Sequence, residues 1–253
     1  MRTFFEYLAT GSGIELWEVV ALCIVSFLGS FITAAFGLGG GTLNLATMAL
    51  IFSPAILIPI HGVVQLGSNF GRAILMHKSV NIEIIPLFIL GTIIGALVGG
   101  NLVVELPTHA LQMVLAVFIL YSVWAPDFLA NRLSKISFLT VGVFGAIITM
   151  FVGATGPVIT PFVIATSKGR KQVVGTHAAL MSIQHTFKIL VFGFIGFSFI
   201  QYIPIILVLT ILGLLGTFAG KQTLNWISEG IFSVLLRVIL TVMALKLAVG
   251  SIF

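Results

Sequence analysis

The chain has 253 residues, of which 59% are hydrophobic and 8% charged, a balance that no water-soluble globular domain of this size carries on its surface. Its 12 Lys and Arg against 7 Asp and Glu are scattered between apolar segments with no long basic arm, so membrane topology explains the excess and a nucleic-acid partner is not expected. A spanning helix needs roughly 20 apolar residues, so the length fits about eight hydrophobic segments in a single transmembrane domain, 1–253, with no room for a soluble one.

The first 18 residues carry Glu6, Glu15 and Glu18 ahead of any long apolar run. That is unlike the basic-then-apolar layout of a cleaved signal peptide, and the first span is expected to be retained. Cys23 is the single cysteine; it allows no intramolecular disulfide or two-cysteine motif and reads as a small buried apolar residue. Apolar stretches then run over 16–36, 42–52, 55–76, 84–104, 110–124, 136–152, 158–166, 174–197, 202–219 and 231–249. Two of them, 42–52 and 158–166, are too short to cross. Each follows a glycine-containing break, Gly37-Leu38-Gly39-Gly40-Gly41 in the first half and Gly153-Ala154-Thr155-Gly156-Pro157 in the second.

The breaks belong to an internal repeat. At an offset of 116 residues, Gly29 falls on Gly145, Thr33 on Thr149, Gly37 on Gly153, Gly40 on Gly156, His61 on His177 and Arg72 on Lys188. With a slightly larger shift Gly95 and Gly99 fall on Gly216 and Gly220, which read as helix-packing faces. Repeat one covers about 16–126 and repeat two about 132–250.

Basic residues mark four loops, with Lys78, then Arg132 and Lys135, then Lys168, Arg170 and Lys171, then Lys221; by the positive-inside rule these are cytoplasmic. For Lys135 and Lys168 to share a side, 136–166 must enter the membrane, turn at the glycine break and return. The expected fold is therefore an all-α integral membrane protein of two pseudo-symmetric, inverted repeats. Each is a glycine-broken re-entrant hairpin followed by about three transmembrane helices, and both termini are extracytoplasmic.

Gly37-Leu38-Gly39-Gly40-Gly41-Thr42-Leu43, echoed by Gly153-Ala154-Thr155-Gly156-Pro157 and then Thr160-Pro161, resembles the TauE/SafE family of sulfite and sulfonate exporters, over essentially the whole chain. Two departures stand out: Asn44-Leu45 occupies a place where the family often has proline, and Ala154 and Thr155 replace the middle glycines of the second cluster. The resemblance implies a multi-pass protein of the inner (plasma) membrane that moves a small anion such as sulfite or an organosulfonate.

All seven acidic residues fall in predicted loops or at segment ends, which disfavours a carboxylate-based cation site or proton relay in the membrane interior. Cations, by contrast, do lie within spans. Lys188 follows Gln184 and His185, and Arg72 follows Gln65, Ser68 and Asn69; helical spacing puts His61, Gln65, Ser68 and Arg72 on one face of their span, and His177, Gln184 and Lys188 on one face of theirs. A third cation, Arg237, is also expected to be deep in the last span, but its repeat counterpart is apolar. A cation in hydrocarbon usually faces a cavity or a partner, and an anion is the natural partner where no acid is available.

The breaks supply a second element. The limbs after Gly39-Gly40-Gly41 and Gly156 begin in the membrane interior, with their N-terminal amides and positive dipole ends facing one another. Thr42, Asn44, Thr155 and Thr160 can add polar contacts.

The leading expectation is a secondary-active exporter of a small anion working by alternating access, with no cofactor, no metal and no enzymatic step. If protons are coupled, His61, His177 and His185 are the candidates. An uptake permease for a related organic anion would use the same parts. An intramembrane serine protease would need Ser68 poised beside a histidine, and a non-transporting scaffold would need neither deep cations nor matched polar stripes.

Overall fold

The computed structural model describes residues 3–37, 39–103, 107–124, 134–223 and 230–252, and their regular structure is helical throughout. The predicted apolar stretches all become helices. In chain order they are α2 (Leu16–Phe36), α3 (Gly40–Ala49), α4 (Pro54–Leu75), α5 (Ile85–Val103), α6 (Thr108–Trp124), α7 (Ser137–Val152), α8 (Gly156–Thr166), α9 (Arg170–Phe194), α10 (Ile203–Thr223) and α11 (Gly230–Ile252).

One helix precedes them. α1 (Phe4–Ser12) starts with a capping box, in which Glu6 N–H donates to Thr3 Oγ1 (3.3 Å) and Thr3 N–H to Glu6 Oε2 (2.6 Å), and it ends at Gly13 in the left-handed region (φ 69°). Leu8 and Ala9 are buried and the helix packs on α2, while Phe4, Phe5 and Tyr7 are exposed. An apolar outward face of this kind suits a helix lying at a membrane surface.

Among the described residues, three helical segments, Leu16–Phe36, Ile82–Val103 and Ile200–Thr223, are long and apolar enough to cross a membrane by length and composition. α4 and α9, with 22 and 25 residues, are about 33 and 38 Å long and exceed the hydrocarbon thickness of about 30 Å. Their buried faces are polar: His61, Gln65, Ser68, Asn69 and Arg72 on α4, and His177, Gln184, His185 and Lys188 on α9. Together with the outward-facing Leu, Ile, Val and Phe side chains, this is a membrane-embedded protein with its polar groups turned inward.

The glycine series sets the helix pairs. Gly91, Gly95 and Gly99 of α5 lie against Leu139, Val143 and Ile147 of α7, in that order, so the two helices run parallel at close approach. Gly216 and Gly220 of α10 lie in the same way against Phe27 and Phe31 of α2. α4 and α9 instead run antiparallel, with Gly62 facing Lys188 and Gly175 facing Met76. A Cβ on Gly95 would meet the Val143 carbonyl oxygen and sit 2.9 Å from Ala146 Cβ. Gly95→Ala should therefore cost about 1–3 kcal/mol by overpacking, visible as a lower melting temperature in detergent; an unchanged melt would mean that α5 and α7 separate freely.

Arg237 does not join Arg72 and Lys188 in the interior. Its side chain is exposed on the outer face of α11, because the helix turns that face away from the bundle and buries Leu240, Ala244 and Leu247 instead. Of the acidic residues, Glu6, Glu15, Glu18 and Glu83 lie among the described residues and none is buried; Glu105, Asp127 and Glu229 lie outside them, as does Arg132.

Candidate functional site

Two helices end at left-handed glycines. α2 stops at Gly37 (φ 94°) and α7 at Gly153 (φ 76°), each capping N–H donating back to a threonine carbonyl, Thr33 O or Thr149 O. The short limbs begin within three residues of these stops, α3 at Gly40 and α8 at Gly156 with Pro157 in its first turn. Both limb N-termini border one cavity of about 40 Å3, lined by Gly39, Gly41 and Thr42 on one side and Ala154, Gly156 and Pro157 on the other. The first turns of the limbs have amides without intrahelical acceptors, and their dipoles favour negative charge there.

α4 and α9 close the cavity with His61, Gln65 and Asn69, and with His177, Met181 and His185; Thr33 of α2 completes the wall. Thr33, Ala154, Pro157 and Met181 are wall residues beyond the candidates that the sequence offers, although Ala154 and Pro157 belong to the second break. Thr33 had a signal in its match to Thr149 across the repeat and Ala154 and Pro157 in their place in the break, whereas Met181 looks like an ordinary apolar residue.

The remaining candidates do not line the cavity. Gly40 packs into α2, where a Cβ would meet the Gly29 carbonyl oxygen. Thr155 Oγ1 donates to Gln184 Oε1 (2.5 Å), and Thr160 Oγ1 to Gly156 O (2.7 Å). Ser68 Oγ is 3.0 Å from Thr217 Oγ1, so its hydroxyl is engaged by α10 and not by a histidine. Asn44 is fully buried, and neither of its amide atoms has a partner among the described residues.

The two cations are bonded differently. Lys188, 0% exposed, donates from Nζ to Gly153 O at 2.6 Å, so it caps the C-terminal end of α7. The same carbonyl is 3.1 Å from His61 Nδ1, and His61 Nε2 is 3.3 Å from Gly41 O. The His61 ring thus touches both breaks. Arg72, 1% exposed, does not snorkel to the surface. It donates from Nη2 to Asn69 Oδ1, and its Nε and Nη1 have no partner among the described residues. Neither ring nitrogen of His177 has a hydrogen-bond partner of normal geometry among the described residues, and Nε2 lies beside the Gly156 backbone. The half of the site holding Arg72 and His177 therefore keeps Arg72 N–H donors without partners among the described residues, while Lys188 and His61 are engaged by backbone carbonyls.

The family model described as sulfite exporter TauE/SafE matches residues 22–247. The chain belongs to this family. TauE/SafE proteins are membrane transporters of the sulfite and sulfonate exporter type, and the match spans every helix from within α2 to within α11. No curated protein and no solved structure matches the chain.

Proposed function

We propose that this TauE/SafE protein is a secondary-active transporter that exports a small oxyanion, sulfite or a short organosulfonate, by alternating access. The observation that carries the proposal is the pair of buried cations, Arg72 and Lys188, on the two helices that wall a cavity bounded by two helix N-termini, with no buried acid among the described residues. Buried charge without a partner is costly, and an anion that binds beside it offsets that cost. The substrate contacts are assigned to Gly39, Gly41, Thr42, His61, Gln65, Asn69, Gly156, His177 and His185 at the cavity. Gly40, Asn44, Ser68, Arg72, Thr155, Thr160, Gln184 and Lys188 support them from the layer behind, with Arg72 turning its free N–H groups to the anion.

Inverted repeats supply the rocking halves. α4 and α9 correspond at the 116-residue offset, and equivalent helices that pack antiparallel are what an inverted pair requires. Lys135 is 2.9 Å from Glu83, which supports a common side for the α4–α5 and α6–α7 connections, the cytoplasmic side of an inner membrane by their basic residues. Both termini are then extracytoplasmic. An outside-positive potential favours anion exit by about 2.3 kcal/mol per charge at 100 mV.

The test is thermal stabilisation of the purified protein in detergent against sulfite, sulfonates, sulfate, thiosulfate, carboxylates and simple cations. A ligand at a hundred times its Kd should add about 2.7 kcal/mol to stability. Stabilisation by sulfite or a sulfonate is expected; stabilisation by cations or carboxylates alone would overturn the proposal.

A further inference from the structure

His61 faces two carbonyl oxygens. Its Nδ1 is 3.1 Å from Gly153 O and its Nε2 is 3.3 Å from Gly41 O, and the side chain is fully buried. A neutral imidazole has one N–H donor and one lone pair. Whichever tautomer is present, one ring nitrogen sets its lone pair against the lone pairs of a carbonyl. Only the imidazolium donates to both.

We infer that His61 is a proton-binding site coupled to the anion site, occupied by a proton when the anion is bound. This rests on the anion reading above. The charged and titratable groups around His61 come from α9, namely Lys188 on the same Gly153 carbonyl, His185 with its ring centre 6.0 Å away, and His177 across the cavity, together with Arg72 further along α4. The sequences of α3, α7 and α8 contain no titratable side chain. An imidazolium here adds a positive charge to a site that already holds cations and no acid. The compensating charge is the anion in the cavity that His61 lines. Proton and anion binding then favour one another, each raising the other's affinity by the same factor. The bound pair carries one negative charge fewer than the anion alone, so a sulfite dianion would cross as a net monoanion and a sulfonate as a neutral pair.

The experiment measures proton uptake when methanesulfonate or benzenesulfonate is added to the purified full-length protein in weakly buffered detergent with a pH dye. Both probes are fully ionised near neutral pH, so protons exchanged belong to the protein. The wild type should take up protons, approaching one per bound anion, and its affinity should fall with rising pH by up to about tenfold per pH unit. His61→Gln should show no uptake and a flat pH profile at whatever affinity it retains, while His77→Gln and His109→Gln, exposed and outside the cavity, keep the wild-type uptake and slope. Anion binding by the wild type without proton uptake, or an undiminished slope in His61→Gln, overturns the proton site and leaves the anion reading standing. Failure of every anion to bind overturns both. Should His61→Gln not fold, ring-nitrogen NMR of histidine-labelled wild type decides: the anion should convert one of the five histidines to imidazolium, and no conversion overturns the inference.

Discussion

Arg72→Met should lose anion binding by roughly 10- to 100-fold, the worth of one or two hydrogen bonds to a charged group, while the ligand-free protein melts no lower than wild type. The two halves of this expectation have one cause. Arg72 is 1% exposed, holds a single bond to Asn69, and leaves Nε and Nη1 unpartnered among the described residues. A cation kept in that state lowers stability through its lost hydration, and methionine retains most of the stem volume without the charge. Removing it relieves that cost against the loss of one bond to an amide oxygen. A structural arginine behaves in the opposite way, since breaking a satisfied buried network destabilises by about 3–5 kcal/mol. Thermal melts with and without sulfite separate the cases. A large drop in the ligand-free melt would make Arg72 part of the scaffold and remove it from the anion site.

How far the sequence alone reaches is clearest from the repeat. The 116-residue offset pairs His61 with His177 and Arg72 with Lys188, and all four are buried in the central helix pair. Their bonding, however, is not equivalent. Lys188 and His61 are held on the Gly153 carbonyl, whereas Arg72 and His177 keep nitrogens without a hydrogen-bond partner among the described residues. An offset pairs positions; it carries no information about what each side chain bonds. Arg237 shows a related limit, since its place within the last span does not say which way its side chain faces. Hydropathy locates a residue along a helix axis, but the rotation of α11 is set by what packs on Leu240, Ala244 and Leu247. α1 was legible in the Thr3-x-x-Glu6 capping box, a signal easily passed over where the apolar runs are so strong.

The glycines of the first break make the sharpest case, because three consecutive residues of one type are needed for three different reasons. Gly39 has φ 90°, a conformation that costs an L-residue roughly 1–2 kcal/mol, and a Cβ there would also displace Leu236. Gly40 is an ordinary helical residue whose missing Cβ lets α3 touch α2: a methyl would overlap the Gly29 carbonyl oxygen and sit 2.5 Å from Thr33 Oγ1. Both obstacles belong to one rigid helix, so Gly40→Ala should cost about 3 kcal/mol or more, and much of the protein should leave a sizing column as aggregate. Gly41 differs again. A Cβ there would have Gln65 Oε1 as its nearest neighbour at 3.6 Å, an ordinary contact on the cavity wall, and alanine is favoured over glycine within a helix by about 0.5–1 kcal/mol. Gly41→Ala should thus melt at or above the wild-type temperature yet bind the anion more weakly, its methyl occupying space beside the amides that receive the ligand. Opposite signs for neighbouring glycines would separate the packing role of the break from its role as an anion site; equal losses of stability in both would mean that the break is only a tight joint between two helices.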